Sequence, residues 1–186
     1  LSVLILLALT AALGMAAAEN DALEITSGCT LELSGLKNPK NLTDRKFTTN
    51  GESKSQKHPT LTIESQEDIH GLYLCFQKMP EYEIQVNRGG GWETWCQGNG
   101  YIHAFYALDG VRQGRVYALD DGKQTMGFNE VYVYGQGRIP EWVQQWEPTP
   151  EKADVLFVVA HPEEELLYLG GAIPYYAVEQ ERSVAV

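Results

Sequence analysis

Two groups of residues in this 186-residue chain have the types and spacing to do chemistry. The first is Val158-Val159-Ala160-His161-Pro162-Glu163-Glu164-Glu165, followed by Gly170-Gly171. An imidazole followed two and three residues later by carboxylates can place one nitrogen and one oxygen on a metal. A second carboxylate is then left to handle a proton. Zinc accepts such mixed ligands, and a catalytic zinc keeps an open position for water. The same residues also suit a plainer role, a turn that leads into a helix with an acidic first turn. The second group is Trp92, Trp95 and Tyr101, beside the Gly89-Gly90-Gly91 turn. Such aromatics can form a platform for a sugar ring, or they can fill a core and cover a sheet edge.

The elements that must position these groups follow from periodicity. Residues 22–138 run with a period of two: Leu61 and Ile63 alternate with Thr60, Thr62 and Glu64, and Leu72, Leu74 and Phe76 alternate with Tyr73 and Cys75. Gly, Asn, Asp and Pro clusters separate these runs, a pattern that predicts an antiparallel β-sandwich. Residues 139–152 carry Pro140, Pro148 and Pro150 and read as a linker whose tryptophans pack on a neighbour. From residue 153 the texture changes again. The continuous apolar run 155–160 predicts a strand buried on both faces of a parallel sheet. A helix through Glu181 and a second strand from Ser183 would complete one β-α-β unit, with His161 just past the carboxyl end of the first strand.

Composition bounds the partners. Hydrophobic residues make up 44% and charged residues 21%, which fits a folded chain. The net charge of −11 argues against a nucleic-acid partner, which calls for clustered Lys and Arg. Residues 1–18 are apolar and uncharged and end in Ala16-Ala17-Ala18, the pattern of a signal peptide cleaved before Glu19. The run is short for a membrane span. The expectation is therefore a secreted or cell-envelope protein with no stable span after cleavage. Export permits one disulfide among Cys29, Cys75 and Cys96 and leaves the pairing open. Cys75 lies inside an apolar run and reads better as a small buried hydrophobe.

Residues 155–186 resemble the opening of the PIG-L (LmbE-like) N-acetylglucosaminyl deacetylases. Ala160-His161-Pro162, Glu165, Gly170-Gly171 and Pro174-Tyr175-Tyr176-Ala177 carry the likeness. It implies that His161 and Glu164 ligate Zn2+ and that Glu163 is the catalytic general base. An acetamide would then be hydrolysed to acetate and a free amine. Two adjacent glutamates stand where that family has aspartates, which moves each carboxylate by roughly 1 Å. The family's remaining His ligand falls beyond Val186, so residues 153–186 would be the first part of a truncated Rossmann-like α/β domain.

Residues 22–138 resemble the discoidin (coagulation-factor type C, galactose-binding-like) modules through Leu42-Thr43-Asp44, Thr49 and Asn129-Glu130-Val131-Tyr132-Val133-Tyr134-Gly135. That likeness implies a structural Ca2+ held by Asp44, Thr49 and Glu130. Arg45 and Lys46 occupy places where the family commonly has Gly and an acidic or polar residue. The phrase Ile139-Pro140-Glu141-Trp142-Val143-Gln144-Gln145-Trp146 resembles the joint between the two modules. Together these imply an exported zinc-dependent deacetylase acting on an N-acetylated sugar or glycan and carrying a β-sandwich targeting module. The alternative is a non-catalytic carbohydrate-binding or adhesion module with a degenerate motif.

Overall fold

Alternation of apolar and polar residues dominates the first two thirds of the chain, and the backbone obeys it. A computed structural model describes residues 20–36, 39–146, 151–161 and 163–186. The signal segment expected over residues 1–18 lies outside them. The chain divides into two units that part between Gln145 and Trp146.

The first unit contains β1 (Cys29–Leu33), β2 (Gly51–Glu52), β3 (Thr60–Lys78), β4 (Tyr82–Asn87), β5 (Trp92–Gln97), β6 (His103–Ala118) and β7 (Gly127–Tyr134). They form one antiparallel sheet in the order β2-β7-β3-β6-β4-β5, with β1 added on β3. Strand β3 serves both ends of it. Its first half pairs with β1, its second half with β7, and β6 follows it along both. The sheet folds over a core that includes Leu31, Leu33, Leu61, Ile63, Leu72, Leu74, Ile84, Val116, Val131 and Val133. This is the antiparallel β-sandwich that the period-two pattern predicts.

The bend is where the ladder breaks. Between Glu64 and Ile69, β3 carries four residues opposite a single residue of β6. Between Ile69 and Gly71, β6 carries the excess, Leu108 to Gly110. Gly110 has φ +63, a left-handed conformation that glycine adopts without strain.

Tyr73 and Cys75, which the alternation would turn outward, are as buried as their neighbours. They belong to a second apolar layer with Ala22, Tyr132, Tyr134 and Val143, against which Phe105 and Ile139 pack. Two flanking segments cover this face. The N-terminal one bonds along β7, with the Ile25 amide donating to the Val133 carbonyl at 2.8 Å and the Gly135 amide to the Leu23 carbonyl at 2.9 Å. The other is the stretch just after residue 138, whose Trp142 ring sets its edge on Tyr132 and Tyr73, centroids 5.0 and 5.8 Å apart. Part of the expected linker is thus a component of the sandwich unit. Gly137, at φ +141, bends the chain between β7 and this stretch; a Cβ there would lie 2.5 Å from the Asn20 carbonyl oxygen.

The second unit holds β8 (Val155–Leu156) and β9 (Val184–Ala185), paired in parallel. Between them lie α1 (Glu164–Leu167), α2 (Ala172–Pro174) and a π-helical turn, Tyr175–Glu179. The continuous helix and fully buried strand expected here differ from this arrangement. Gly170 and Gly171 fall in the turn that separates α1 from α2, and after Pro174 the chain passes from α2 into the π-helical turn. A two-stranded sheet cannot cover both faces of the 155–160 run, and Leu156 and Val158 are 65% and 86% exposed. All three cysteines are free thiols.

Truncating Leu74, at 0% exposure in the centre of β3, to alanine is expected to cost about 2–5 kcal/mol in urea denaturation. Burial pushes the Cys75 thiol up to about 12, with the Tyr73 hydroxyl opposing the rise. Cys75 should therefore resist a disulfide reagent at pH 8 in the native chain and react on unfolding, as followed by mass spectrometry.

Candidate functional site

The three aromatics singled out by type take different surroundings. Trp92 pairs with Asn87 across the β4–β5 hairpin, and its ring lies under the Arg115 guanidinium, 4.4 Å from the ring centroid. Arg115 also lies 4.9 Å from the Tyr117 ring, and His58 stacks on Tyr117 at 5.1 Å and 11°. This ladder is tied down: Arg115 Nε donates to Gln85, whose amide bonds Glu83, and the Gln97 amide reaches Glu83 at 3.2 Å. Trp92 is part of a held surface. Trp95 sits at a register shift in β5, donates its indole N–H to the Ala107 carbonyl at 2.9 Å, and stays 39% exposed beneath Arg88. Tyr101 is 40% exposed in the loop before β6, with its amide on Asn99 Oδ1.

Arg88 leads from Trp95 to a feature the residue types alone did not reveal. A cleft of about 540 Å³ opens where β3 and β6 lose register, lined by the bulged residues of both strands and by the β4–β5 turn. Its walls are planar, polar and mutually oriented. Arg112 Nε donates to Asp68 at 3.0 Å, and the Gln113 amide donates to Glu64 at 3.1 Å. Asn87 Nδ2 donates to Gln113 Oε1 at 2.9 Å, while its own Oδ1 accepts the Gly89 and Gly91 amides. Arg88 faces Asp109 and Glu93, each at 3.7 Å. A polar run, residues 64–68, set between two apolar halves of one strand was the available signal, because bulges cluster at sites of function.

The residues proposed to hold calcium do come together. The Thr49 hydroxyl lies 2.9 Å from both Asp44 oxygens and from the Lys46 carbonyl. The Lys46 amide donates to Asp44 Oδ1 at 3.0 Å and to Glu130 Oε1 at 2.8 Å. Glu130 is fully buried; its Oε2 has no hydrogen-bond partner, and Arg45 Nη1 stands 3.8 Å from it. Burial raises the Glu130 carboxyl, and the neighbouring Asp44 carboxyl raises it further. Asp44 is lowered because hydrogen bonds from Thr49 and Lys46 together outweigh its desolvation.

A calcium ion needs six to eight oxygens turned into one hole at about 2.4 Å. Here Asp44 accepts from the Thr49 hydroxyl and the Lys46 amide, Glu130 Oε1 accepts from the same amide, and a guanidinium faces the remaining Glu130 oxygen. Two unit charges of like sign at about 4 Å repel by roughly 4 kcal/mol at an effective dielectric of about 20, and a divalent ion doubles that. The donor set does not fit calcium while Arg45 is in place.

In the second unit, His161 Nδ1 lies 3.2 Å from Glu164 Oε1, and the other Glu164 oxygen accepts the Ala160 amide at 3.0 Å. The contact with His161 and the amide together lower the Glu164 carboxyl. Glu163 occupies the N-cap of α1 without a side-chain capping bond. Among the described residues no group of three or more His, Cys, Asp or Glu is arranged to hold a metal.

Neither a protein-family model nor a curated protein matches this sequence. Among solved structures, the chain is similar to a fucose binding module of Streptococcus pneumoniae, with TM-score 0.50, 10% identity, and coverage of 61% of this chain and 95% of the module. It is similar to an F5/8 type C domain from Bacteroides fragilis, with TM-score 0.47, 15% identity, and coverage of 62% and 96%. A family 89 glycoside hydrolase from Clostridium perfringens, solved with 2-acetamido-1,2-dideoxynojirmycin, gives TM-score 0.48 and 16% identity over 64% of this chain; the chain spans 16% of that enzyme. At these identities the likeness concerns the fold alone, an antiparallel β-sandwich like that of the fucose binding module.

Proposed function

We propose that the β-sandwich is a carbohydrate-binding module and that the cleft at the β3–β6 bend, with Trp95 beside it, receives the glycan. The observation that carries this reading is the half-exposed Trp95 under Arg88, because Arg88 also lines a cleft walled by oriented carboxylates, amides and a second arginine. A sugar ring offers an apolar C–H face for an aromatic and a rim of hydroxyls that both donate and accept. Carboxylates accept from such hydroxyls, guanidinium groups donate to them, and amides do both. The pairs Arg112–Asp68 and Gln113–Glu64 hold their partners in place before a ligand arrives, which lowers the ordering cost of binding. A similar solved structure is a fucose binding module, which supports a glycan partner in general terms. The export expected from residues 1–18 would bring the module to external glycans.

A second reading, a zinc-dependent deacetylase, rests on the 3.2 Å contact of His161 with Glu164. A catalytic zinc takes three protein ligands and a water. This pair could supply two of them, with the third from outside the described residues. Bound zinc would polarise an amide carbonyl. The part of this chain would be to orient the imidazole through Glu164 and to hold Glu164 through the Ala160 amide.

A glycan array with the full chain should show retention of a restricted set of sugars. Trp95→Ala or Arg112→Ala should weaken the best ligand by about 10-fold or more in calorimetric titration, with the melting temperature little changed. Wild-type affinity in both variants, or no retained glycan, would sink the cleft assignment. For the second reading, zinc uptake by the full chain should fall on His161→Ala and be accompanied by acetate release from N-acetylated sugars. Uptake unaffected by that substitution would remove it.

A further inference from the structure

Arg45 has a backbone conformation that its side chain must justify. Its φ is +64, in the left-handed region that favours glycine, and such strain persists where the surroundings fix the residue. What fixes it is a set of three contacts made by one guanidinium. Arg45 pairs with Glu24 of the N-terminal segment through Nη2. It faces the partnerless Oε2 of Glu130 on β7 from 3.8 Å through Nη1. Its plane also lies over the Tyr132 ring, 4.4 Å from the centroid. The residues on either side complete the arrangement, since the Lys46 amide bridges Asp44 and Glu130, and Asp44 holds Thr49.

Keeping a buried acid ionised beside a second acid takes compensating positive charge. Oxygens from Asp44, Thr49 and Glu130 would ordinarily call for a hard divalent ion, and the sequence likeness implied calcium. We propose instead that Arg45 is a tethered cation, a guanidinium placed by the chain itself where an ion would be needed, so that the loop around residues 44–49 is locked onto β7 without metal. Arginine suits this task because it stays charged at any working pH, is weakly hydrated for a cation, and can meet a carboxylate and an aromatic face together. The loop also fixes neighbouring structure: Asn129 Nδ2 donates to the carbonyls of Phe47 and Thr49 at 3.1 and 2.9 Å. Loss of the cation should therefore loosen the strap as a whole.

A sandwich locked by its own guanidinium and one locked by a metal differ in their response to calcium. The wild-type full chain should melt at the same temperature in a chelator and in millimolar calcium. Arg45→Gly removes the guanidinium, relieves the backbone and leaves the oxygens facing an open hole. That variant should melt lower in chelator than the wild type and recover by roughly 5–10 °C when calcium is added. Adding Glu130→Gln to that variant should abolish the recovery. Should Arg45→Gly fail to fold in chelator, its refolding by circular dichroism when calcium is added replaces the melting shift as the expected result. A wild-type melting temperature that rises with calcium, or direct calcium uptake by the wild type in equilibrium dialysis, would overturn the proposal. So would an Arg45→Gly variant indifferent to calcium.

Discussion

Strand β3 is hydrogen-bonded on both edges through most of its length and buried on both faces through its second half. A strand in that position has no free side on which to place an error. A slip of one residue would exchange the Leu72, Leu74 and Phe76 face for the Tyr73 and Cys75 face, and the two faces meet different neighbours. The rest of the first unit follows from satisfying this strand. Because β3 must serve both ends of one sheet, it has to bend, and a continuous ladder cannot bend sharply without shedding hydrogen bonds. The four-residue excess between Glu64 and Ile69 and the matching excess on β6 are the form that relief takes. Because the second face is apolar, it has to be covered. The chain uses both of its flanks for this, residues before β1 and residues after β7.

The same constraint explains where charge is placed. Bulged residues leave the ladder, so their side chains meet solvent and one another rather than a core. In this chain the polar ones are Ser65, Gln66, Glu67 and Asp68 on β3 and Asp109 on β6, beside Glu64 and Arg112. Arginine then acts as the connector throughout the unit: Arg112 to Asp68, Arg88 to Glu93 and Asp109, Arg138 to Asp21, and Arg115 between Trp92 and Tyr117. Exposed pairs of this kind add little stability, so their value lies in orientation. Arg45 differs in facing a fully buried acid, and there removal of one partner leaves the other uncompensated.

Much of the first unit was legible because its signals are local. Alternation at Leu61/Ile63 and Val131/Val133 marks strands whatever surrounds them, and the fold that those strands build is the expected antiparallel sandwich. The cover over Tyr73 and Cys75 was not legible, because the alternation of a strand does not say whether a distant flank will return to lie on its polar-looking side. Asp44, Thr49 and Glu130 could be grouped from the chain, and they do meet, but the role of Arg45 depends on a backbone angle and on where Glu24 lies. Trp92 shows the same limit from the other direction. Its type suggested an open platform, whereas its ring is occupied by a guanidinium supplied from 23 residues away by the sheet pairing. In the second unit the apolar run at 155–160 gave the direction of a strand but no neighbour to bury it.

Stability and the proposed recognition site are therefore drawn from different parts of the sandwich. The two apolar layers meet across β3 and depend mostly on residues buried away from the cleft. The cleft at the bend depends on residues the ladder has released, so its side chains can be exchanged at little cost to the fold. A fold says little about function on its own account, since function resides in sites grafted onto it. This sandwich nevertheless limits where a graft can be made. The Tyr73 and Cys75 face is covered by the flanking segments and Trp92 is held by its arginine ladder, while the bend is open and polar. That is the physical ground for looking for recognition at the bulges of β3 and β6 rather than at the aromatic residues for their own sake.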